Sequence, residues 1–162
     1  NLWVLIETNG YGLTPENLDY LRDSGVDGFW LDIKAYDVDR HRWLTGCTVE
    51  RILQLPEEIV KRDFVLEVLS LYIPGVVETG DLVEIARILQ AVDRAIPFTI
   101  LAFFPEYRMK DFRSPSVEEM VDAYEAVRGA GLILVRLGNV GVFASTEKER
   151  EYLAARVDDS AY

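Results

Sequence analysis

Apolar segments and amphipathic segments alternate along the whole chain. Most of the apolar segments are continuous rather than alternating in polarity, which is typical of strands buried on both faces of a parallel sheet. The pattern therefore predicts an α/β protein in which parallel strands alternate with helices. The predicted strands are Leu2–Ile6, Gly28–Ile33, Phe64–Ile73, Phe98–Phe104 and Leu132–Leu137.

Signals for helix ends lie between these runs. Thr14, followed by proline, predicts a helix N-terminus, and Gly25 predicts the end of that helix. Asp81 is a predicted N-cap for the helix that follows the third strand. Residues 48–62 also have a helical pattern, although Pro56 is expected to break or kink it.

The last two helices have the clearest N-terminal signals. Ser116–Glu119 and Thr146–Glu149 are capping boxes, and the second opens a helix expected to extend to about Val157. The strands recur at a spacing close to the roughly 31 residues expected per β/α unit of a barrel. We therefore predict one domain over residues 1–162, with parallel β/α repeats that form part of a TIM-like barrel or an open sheet.

Composition narrows the classes of function. The chain has 162 residues, of which 49% are hydrophobic, so it can bury a core without disulfides. Its net charge of −11 argues against a broad nucleic-acid surface. No apolar run reaches the roughly 20 residues that span a bilayer, and the amino end does not have the pattern of a secretory signal. We expect a cytoplasmic protein with no nucleic-acid or membrane partner.

Polar side chains follow the predicted strands at their carboxyl ends, where sites in α/β folds lie. Asp32 and Lys34 are two residues apart on a strand, so both point to the same face. On the inner face of a barrel they would meet Glu7 from the preceding strand. Two carboxylates and one ammonium suit a zwitterionic amino acid or a small cation, whereas an ordinary strand-end ion pair is the structural alternative.

Other reactive residues support no further site. His41 and Cys47 are single in the sequence and supply too few ligands for zinc, and one cysteine excludes a disulfide framework. We expect His41 to make a structural contact on a short helix, Val38–Leu44, and Cys47 to be a small buried or half-buried apolar residue. Ser70 and Thr8 lack a histidine base at any suggestive spacing, which leaves nucleophilic hydrolysis unsupported.

Several strand-end motifs occur in a fixed order between Leu2 and about Gly141. They are ETNG at 7–10, LDIK at 31–34, HRWLTG at 41–46, IPG at 73–75 and FPEY at 104–107. Together they resemble the radical S-adenosylmethionine (SAM) superfamily, and most closely its pyruvate formate-lyase-activating-enzyme-like branch. The resemblance implies a partial (β/α)6 barrel with SAM across the carboxyl ends of the strands.

The resemblance also implies the residues that bind SAM. Glu7 and Asp32 would in addition help to hold a monovalent cation. Asn139 and Val140 would lie near the adenine, and Glu7, Asp32 and Lys34 near the amino acid moiety and the ribose. The implied SAM-binding residues are Glu7, Thr8, Asn9, Asp32, Lys34, Asn139 and Val140.

In this family a 4Fe–4S cluster on a CxxxCxxC loop reductively cleaves SAM to a 5′-deoxyadenosyl radical, which abstracts hydrogen. That loop and the Gly-Gly-Glu segment that grips the SAM ammonium are missing here, and Phe104 stands where many relatives carry a histidine. The CxxxCxxC loop and the Gly-Gly-Glu segment both precede the ETNG strand in this family. We therefore expect this chain to be the C-terminal part of such an enzyme, inactive alone.

The implied partners are a glycyl-radical enzyme, another protein or a small-molecule substrate, and an electron donor for the cluster. Two other classes of function stay open. One is a barrel lyase or aldolase that uses Lys34 with Asp32, although Schiff-base chemistry needs an uncharged amine, which a neighbouring carboxylate disfavours. The other is a non-catalytic interaction domain with a solvated acidic surface.

Overall fold

Five parallel strands form one sheet, in which their order is the same as their order along the chain. The computed structural model describes residues 2–162. Each strand pairs in parallel with the next, which confirms the predicted α/β class with parallel β/α repeats. The strands are β1 (Leu5–Thr8), β2 (Gly28–Asp32), β3 (Val65–Tyr72), β4 (Phe98–Ala102) and β5 (Val135–Gly138).

Helices connect the strands and follow the last of them. Strands in sequential order with right-handed crossovers place the connecting helices on one face, as in the wall of a barrel. Among residues 2–162, no helix is both long and apolar enough to cross a membrane. The helices are α1 (Pro15–Asp23), α2 (Val38–Thr45), α3 (Glu50–Val60), α4 (Thr79–Val92), α5 (Val117–Gly129), α6 (Val140–Phe143) and α7 (Glu147–Ala154).

Only the helix-covered face of the sheet is fully buried within the part of the chain that the structure describes. Along β3, every second side chain from Leu66 to Tyr72 is buried, and the side chains between them are half-buried. On β2, Phe29 and Leu31 are inaccessible, whereas Trp30 between them is 42% exposed. The expectation of strands buried on both faces is therefore wrong for the inner face, over which residues 2–162 form no packed layer.

The predicted N-caps place three helices correctly. Thr14 accepts a hydrogen bond at the start of α1, and the capping boxes at Ser116 and Thr146 open α5 and α7. α7 ends at Ala154, earlier than predicted, and a turn then carries Val157 back into the core. These boundaries depend on hydrogen bonds between close neighbours in sequence, which is why the sequence predicts them.

Tertiary packing explains two of the differences between the predicted and the observed boundaries. β1 begins at Leu5, not at Leu2, since its register with β2 starts there and Leu2 is 93% exposed. Pro56 does not break α3, which is continuous from Glu50 to Val60 with the proline buried. The proline lacks the N–H for one helical hydrogen bond, and burial of the apolar stripe of α3 offsets that loss.

Asp81 does not cap α4, contrary to the prediction. The helix begins at Thr79 with Glu78 at the N-cap, so Asp81 lies in the first turn. Its side chain is buried, accepts a hydrogen bond from Arg40 and accepts another from the backbone N–H of Asp37 at 3.1 Å. Asp81 therefore joins α4 to the segment that begins α2.

Ser70 offers a test of this packing. Its hydroxyl is buried and has no hydrogen-bond partner among the described residues. A buried unsatisfied hydroxyl costs about 1–3 kcal/mol, so Ser70→Ala is expected to leave the free energy of unfolding unchanged or to raise it by about 1 kcal/mol. Ser116→Ala, which removes an N-cap, is expected to lower it by about 1 kcal/mol. Urea denaturation of both variants checks this, and an equal loss in both would contradict it.

Candidate functional site

The residues predicted from the strand ends lie along one edge of the sheet. Thr8 is the last residue of β1, Asp32 is the last of β2, and Asn139 directly follows β5. Because all the strands are parallel, their carboxyl ends meet at the same edge. The structure therefore collects the sequence-predicted positions on the side where α/β proteins bind their ligands.

Asp32 and Lys34 form an ion pair at the end of β2. The Lys34 ammonium donates to Asp32 Oδ2, and the two side chains are 31% and 21% exposed respectively. Ile33 between them is buried, and its N–H donates to the Leu69 carbonyl of β3 at 2.9 Å. The extended backbone thus continues past β2, which directs Asp32 and Lys34 to the same face as predicted.

The ETNG motif forms a tight turn at the end of β1. The Gly10 N–H donates to Thr8 Oγ1 at 3.1 Å, and the Tyr11 N–H donates to Asn9 Oδ1 at 3.1 Å. Gly10 has φ +78°, and a Cβ there would lie 2.5 Å from the side chain of Leu55. The positive φ and the close contact with Leu55 both require glycine at this position. The hydrogen bonds that the side chains of Thr8 and Asn9 accept within the turn hold these two residues at the edge of the sheet.

Glu7 is separate from the Asp32–Lys34 pair. It is exposed on the inner face and lies opposite Trp30, the residue two positions before Asp32. Within residues 2–162 no hydrogen bond or ion pair joins Glu7 to Lys34. The structure thus brings the Asp32 carboxylate and the Lys34 ammonium into direct contact, whereas the Glu7 carboxylate lies elsewhere on the same face of the sheet.

A cavity of about 40 Å³ lies beside the ion pair. Its lining includes Asn9 from the β1 turn, Asp32 and Lys34 from β2, and residues of α2 and the loop that follows it. His41 is on α2 and makes the predicted structural contact, and Cys47 is half-buried as predicted. Thr45 and Tyr11 also line the cavity.

The sequence did not predict that His41, Thr45 and Cys47 lie in the wall of this cavity. His41 has the helical spacing of an ordinary core residue, and nothing local shows that α2 turns back towards the end of β2. The available signal was that the HRWLTG segment at 41–46 is itself one of the motifs that carry the family resemblance.

Asn139 lies at the far end of the same edge. It adopts φ +58°, and its side-chain amide donates to the Ala102 carbonyl at 3.0 Å, which joins the ends of β4 and β5. Val140 begins the short helix α6. Three interstrand spacings of about 4.8 Å separate β2 from β5, so these residues belong to a different part of the edge from Asp32.

Charged residues also line the inner face away from this edge. Glu67 on β3 accepts hydrogen bonds from Thr99 on β4 at 2.9 Å and from Arg136 on β5 at 3.3 Å. Arg136 is about half-exposed, so part of its guanidinium faces the open inner side of the sheet. Arg136 is 69 positions after Glu67, so no local sequence pattern predicts this contact.

The described residues do not fit an iron–sulfur cluster. Cys47 is the single cysteine of the sequence, and residues 2–162 contain no group of three His, Cys, Asp or Glu side chains placed to hold a metal ion. A cluster of this type needs three or more thiolates. Any such cluster would require ligands from outside this chain.

Comparison with curated proteins identifies one relative by sequence. Over 127 residues, 76% of its length, the chain is 30% identical to a protein of Methanocaldococcus jannaschii named as a candidate glycyl-radical enzyme activating enzyme. The chain spans 48% of that protein, about half its length. No protein-family profile matches the chain.

Solved structures show the same fold. A domain of pyruvate-formate lyase-activating enzyme from Bacteroides vulgatus superimposes with a TM-score of 0.71 over 85% of this chain and 82% of that domain, at 18% identity. A radical SAM methyltransferase from Sphaerobacter thermophilus gives a TM-score of 0.62 over 83% of this chain and 40% of its own, also at 18% identity. Sequence similarity and fold together confirm the predicted resemblance of this chain to the pyruvate formate-lyase-activating-enzyme-like branch of the radical SAM superfamily.

Proposed function

We propose that this chain supplies part of the SAM-binding wall of a radical SAM enzyme. The observation that carries the proposal is the Asp32–Lys34 ion pair at the carboxyl end of β2, beside the cavity and the ETNG turn. The similarity to a protein named as an activating enzyme supports the same assignment.

The donors and acceptors of the pair suit the ligand. An ammonium has three N–H donors, of which one contacts Asp32, and a carboxylate has about four acceptor sites. Lys34 would therefore retain donors for the SAM carboxylate or ribose, and Asp32 would retain acceptors for the SAM ammonium or ribose. Thr8 and Asn9 would line the same end, Asn139 and Val140 would approach the adenine, and Glu7 with Asp32 would hold a monovalent cation.

The complete protein would use this wall for hydrogen abstraction. Reductive cleavage of SAM supplies a 5′-deoxyadenosyl radical, and the cluster ligands for that chemistry have to come from outside this chain. The substrate would be a glycyl-radical enzyme, another protein or a small molecule, and an external donor would supply the electron. We propose that the chain alone neither carries a cluster nor cleaves SAM.

The upstream reading frame gives the first test. We expect a CxxxCxxC motif within roughly a hundred residues before Asn1, because both missing motifs precede the ETNG strand in the family and each β/α unit occupies roughly 31 residues. The 162-residue chain, purified under anaerobic reducing conditions, should show neither iron–sulfur absorbance nor 5′-deoxyadenosine production. SAM cleavage by the chain alone would contradict the proposal, as would a full-length protein that does not bind SAM in calorimetry.

A further inference from the structure

Arg136 is the only basic residue within the five strands of the part of the chain that the structure describes. Both of its neighbours on β5 are buried, whereas its own side chain lies on the inner face of the sheet and is about half-exposed. The strand register places it in one row of inner-face residues, which runs from Asp32 through Leu69 and Thr99 to Arg136. The guanidinium is therefore level with the Asp32 carboxylate, at a distance of three interstrand spacings of about 4.8 Å.

The contact between Arg136 and Glu67 uses only a small part of the guanidinium. One N–H of Arg136 donates to Glu67 Oε1 at 3.3 Å, and Thr99 Oγ1 donates to the same oxygen at 2.9 Å. The Arg136 side chain makes no other hydrogen bond to residues 2–162. Arg113, by contrast, contacts Glu119 through two nitrogens, at 2.7 and 2.5 Å. A guanidinium has five N–H donors in a fork that matches a carboxylate, so Arg136 retains donors for a second anion.

The inner face beside Arg136 is mainly apolar. Leu69 and Leu101 are half-buried on this face, and Trp30 is partly exposed on β2. Trp30 lies opposite Glu67 in the strand register, so an aromatic surface adjoins the ion pair. Ligand sites in proteins commonly combine such an apolar lining with a few polar groups that fix the orientation of the ligand. This surface therefore suits a molecule with an apolar body and one anionic group.

We propose that Arg136 binds the carboxylate of a small-molecule substrate that has an apolar body. This inference rests on the proposed function, because it names the substrate class of the same site. In the proposed orientation of SAM, the amino acid moiety lies at Asp32 and Lys34, and only the uncharged adenine approaches β5. SAM therefore supplies no anion to Arg136. A carboxylate bound there places the apolar body over Leu69, between the guanidinium and the SAM-binding wall, while Glu67 holds the guanidinium on the inner face.

Two substitutions separate anion binding from a purely structural ion pair. Arg136→Gln removes the guanidinium, so the affinity for a carboxylate is expected to fall about tenfold or more. Glu67→Gln removes the competing anion and keeps an oxygen that can accept from Thr99, so the affinity is expected to rise about three- to tenfold. If the pair were only structural, both substitutions would break the same contact and neither would change the affinity. Arg87→Gln is the matched control, because Arg87 pairs with Glu84 on α4, away from the sheet.

The probes are benzoate and hexanoate, each compared with its uncharged amide. Ligand-observed NMR titration of the full-length protein measures their affinities, with and without saturating S-adenosyl-L-homocysteine. We expect the wild-type protein to bind at least one carboxylate about tenfold or more tightly than the corresponding amide, because only the carboxylate forms charged hydrogen bonds with Arg136. The Arg87→Gln variant should keep this preference, and the Arg136→Gln variant should lose it.

The outcomes distinguish this inference from the proposed function. If the wild-type protein does not bind S-adenosyl-L-homocysteine, the proposed function fails. If it binds that compound but binds neither carboxylate more tightly than the amide, the inference is overturned while SAM binding stands, and this comparison needs no variant to fold. The inference is also overturned if Arg136→Gln retains the preference. Displacement of the carboxylates by S-adenosyl-L-homocysteine would overturn it too, because Arg136 would then bind the amino acid carboxylate of the nucleoside.

Discussion

Lys34→Met is expected to weaken SAM binding by the full-length protein by roughly 10- to 150-fold. The substitution keeps most of the aliphatic stem and removes the ammonium that donates to Asp32. Hydrogen bonds to charged groups contribute about 1.5–3 kcal/mol each, which corresponds to this range of affinity. Calorimetric titration of SAM into wild-type and variant protein measures the effect.

Lys61→Met is the matched control. Lys61 is at the end of α3 and pairs with Glu57, and both of these side chains are more than half exposed. Because exposed pairs contribute little, this variant should bind SAM as the wild-type protein does. Equal affinity of the Lys34→Met variant and the wild-type protein would remove Lys34 from the proposed site. Borohydride trapping of a carbonyl substrate on Lys34 would instead support the aldolase alternative.

Asp81→Ala is expected to lower the free energy of unfolding by about 2–3 kcal/mol. The side chain of Asp81 is 4% exposed, and it accepts hydrogen bonds from Arg40 and from the backbone N–H of Asp37. Removing the carboxylate leaves the Asp37 N–H without its acceptor and also removes the hydrogen bond from the charged guanidinium of Arg40. The expected loss of stability is smaller than the loss on breaking a fully buried ion pair, because the Arg40 side chain is 47% exposed and water can solvate its guanidinium in the variant.

Asp39→Ala controls for the loss of a carboxylate in the same region. Asp39 is 88% exposed, and its oxygen lies 3.9 Å from Arg42, so we expect a change of about 0.5 kcal/mol or less. Urea denaturation at one protein concentration compares the variants. Asp81→Asn should give an intermediate loss, because the amide oxygen can still accept from the Asp37 N–H. A similar loss for Asp81→Ala and Asp39→Ala would show that the buried contacts of Asp81 contribute nothing.

Local sequence patterns predicted much of the fold. Continuous apolar runs marked all five strands, and side-chain caps at Thr14, Ser116 and Thr146 marked three helix starts. These features depend on residues within one turn or one strand of each other, so their chemistry is visible in a short window of sequence. The Asp32–Lys34 pair belongs to the same class, because the two-residue period of a strand places both side chains on one face.

Asp81 shows where a local pattern misleads. The sequence places a capping residue near the start of α4, yet the side chain is buried and contacts Arg40, which is 41 positions earlier in the chain. A carboxylate that can cap a helix and a carboxylate that can pair with a distant arginine look the same in a short window. The packing of α4 against the segment before α2 decides between them.

The sequence by itself therefore determined the α/β class, the order of the elements, the family resemblance and the edge of the sheet that carries the polar residues. Only the tertiary structure decided that Glu7 is separate from Asp32, that Asp81 is buried, and that His41 enters the wall of the cavity beside Lys34. The physical reason is the separation along the chain between the residues that interact. Periodicity and capping act over a few residues, whereas these placements depend on how β2, α2 and α4 pack together, and that packing joins residues that are far apart in the sequence.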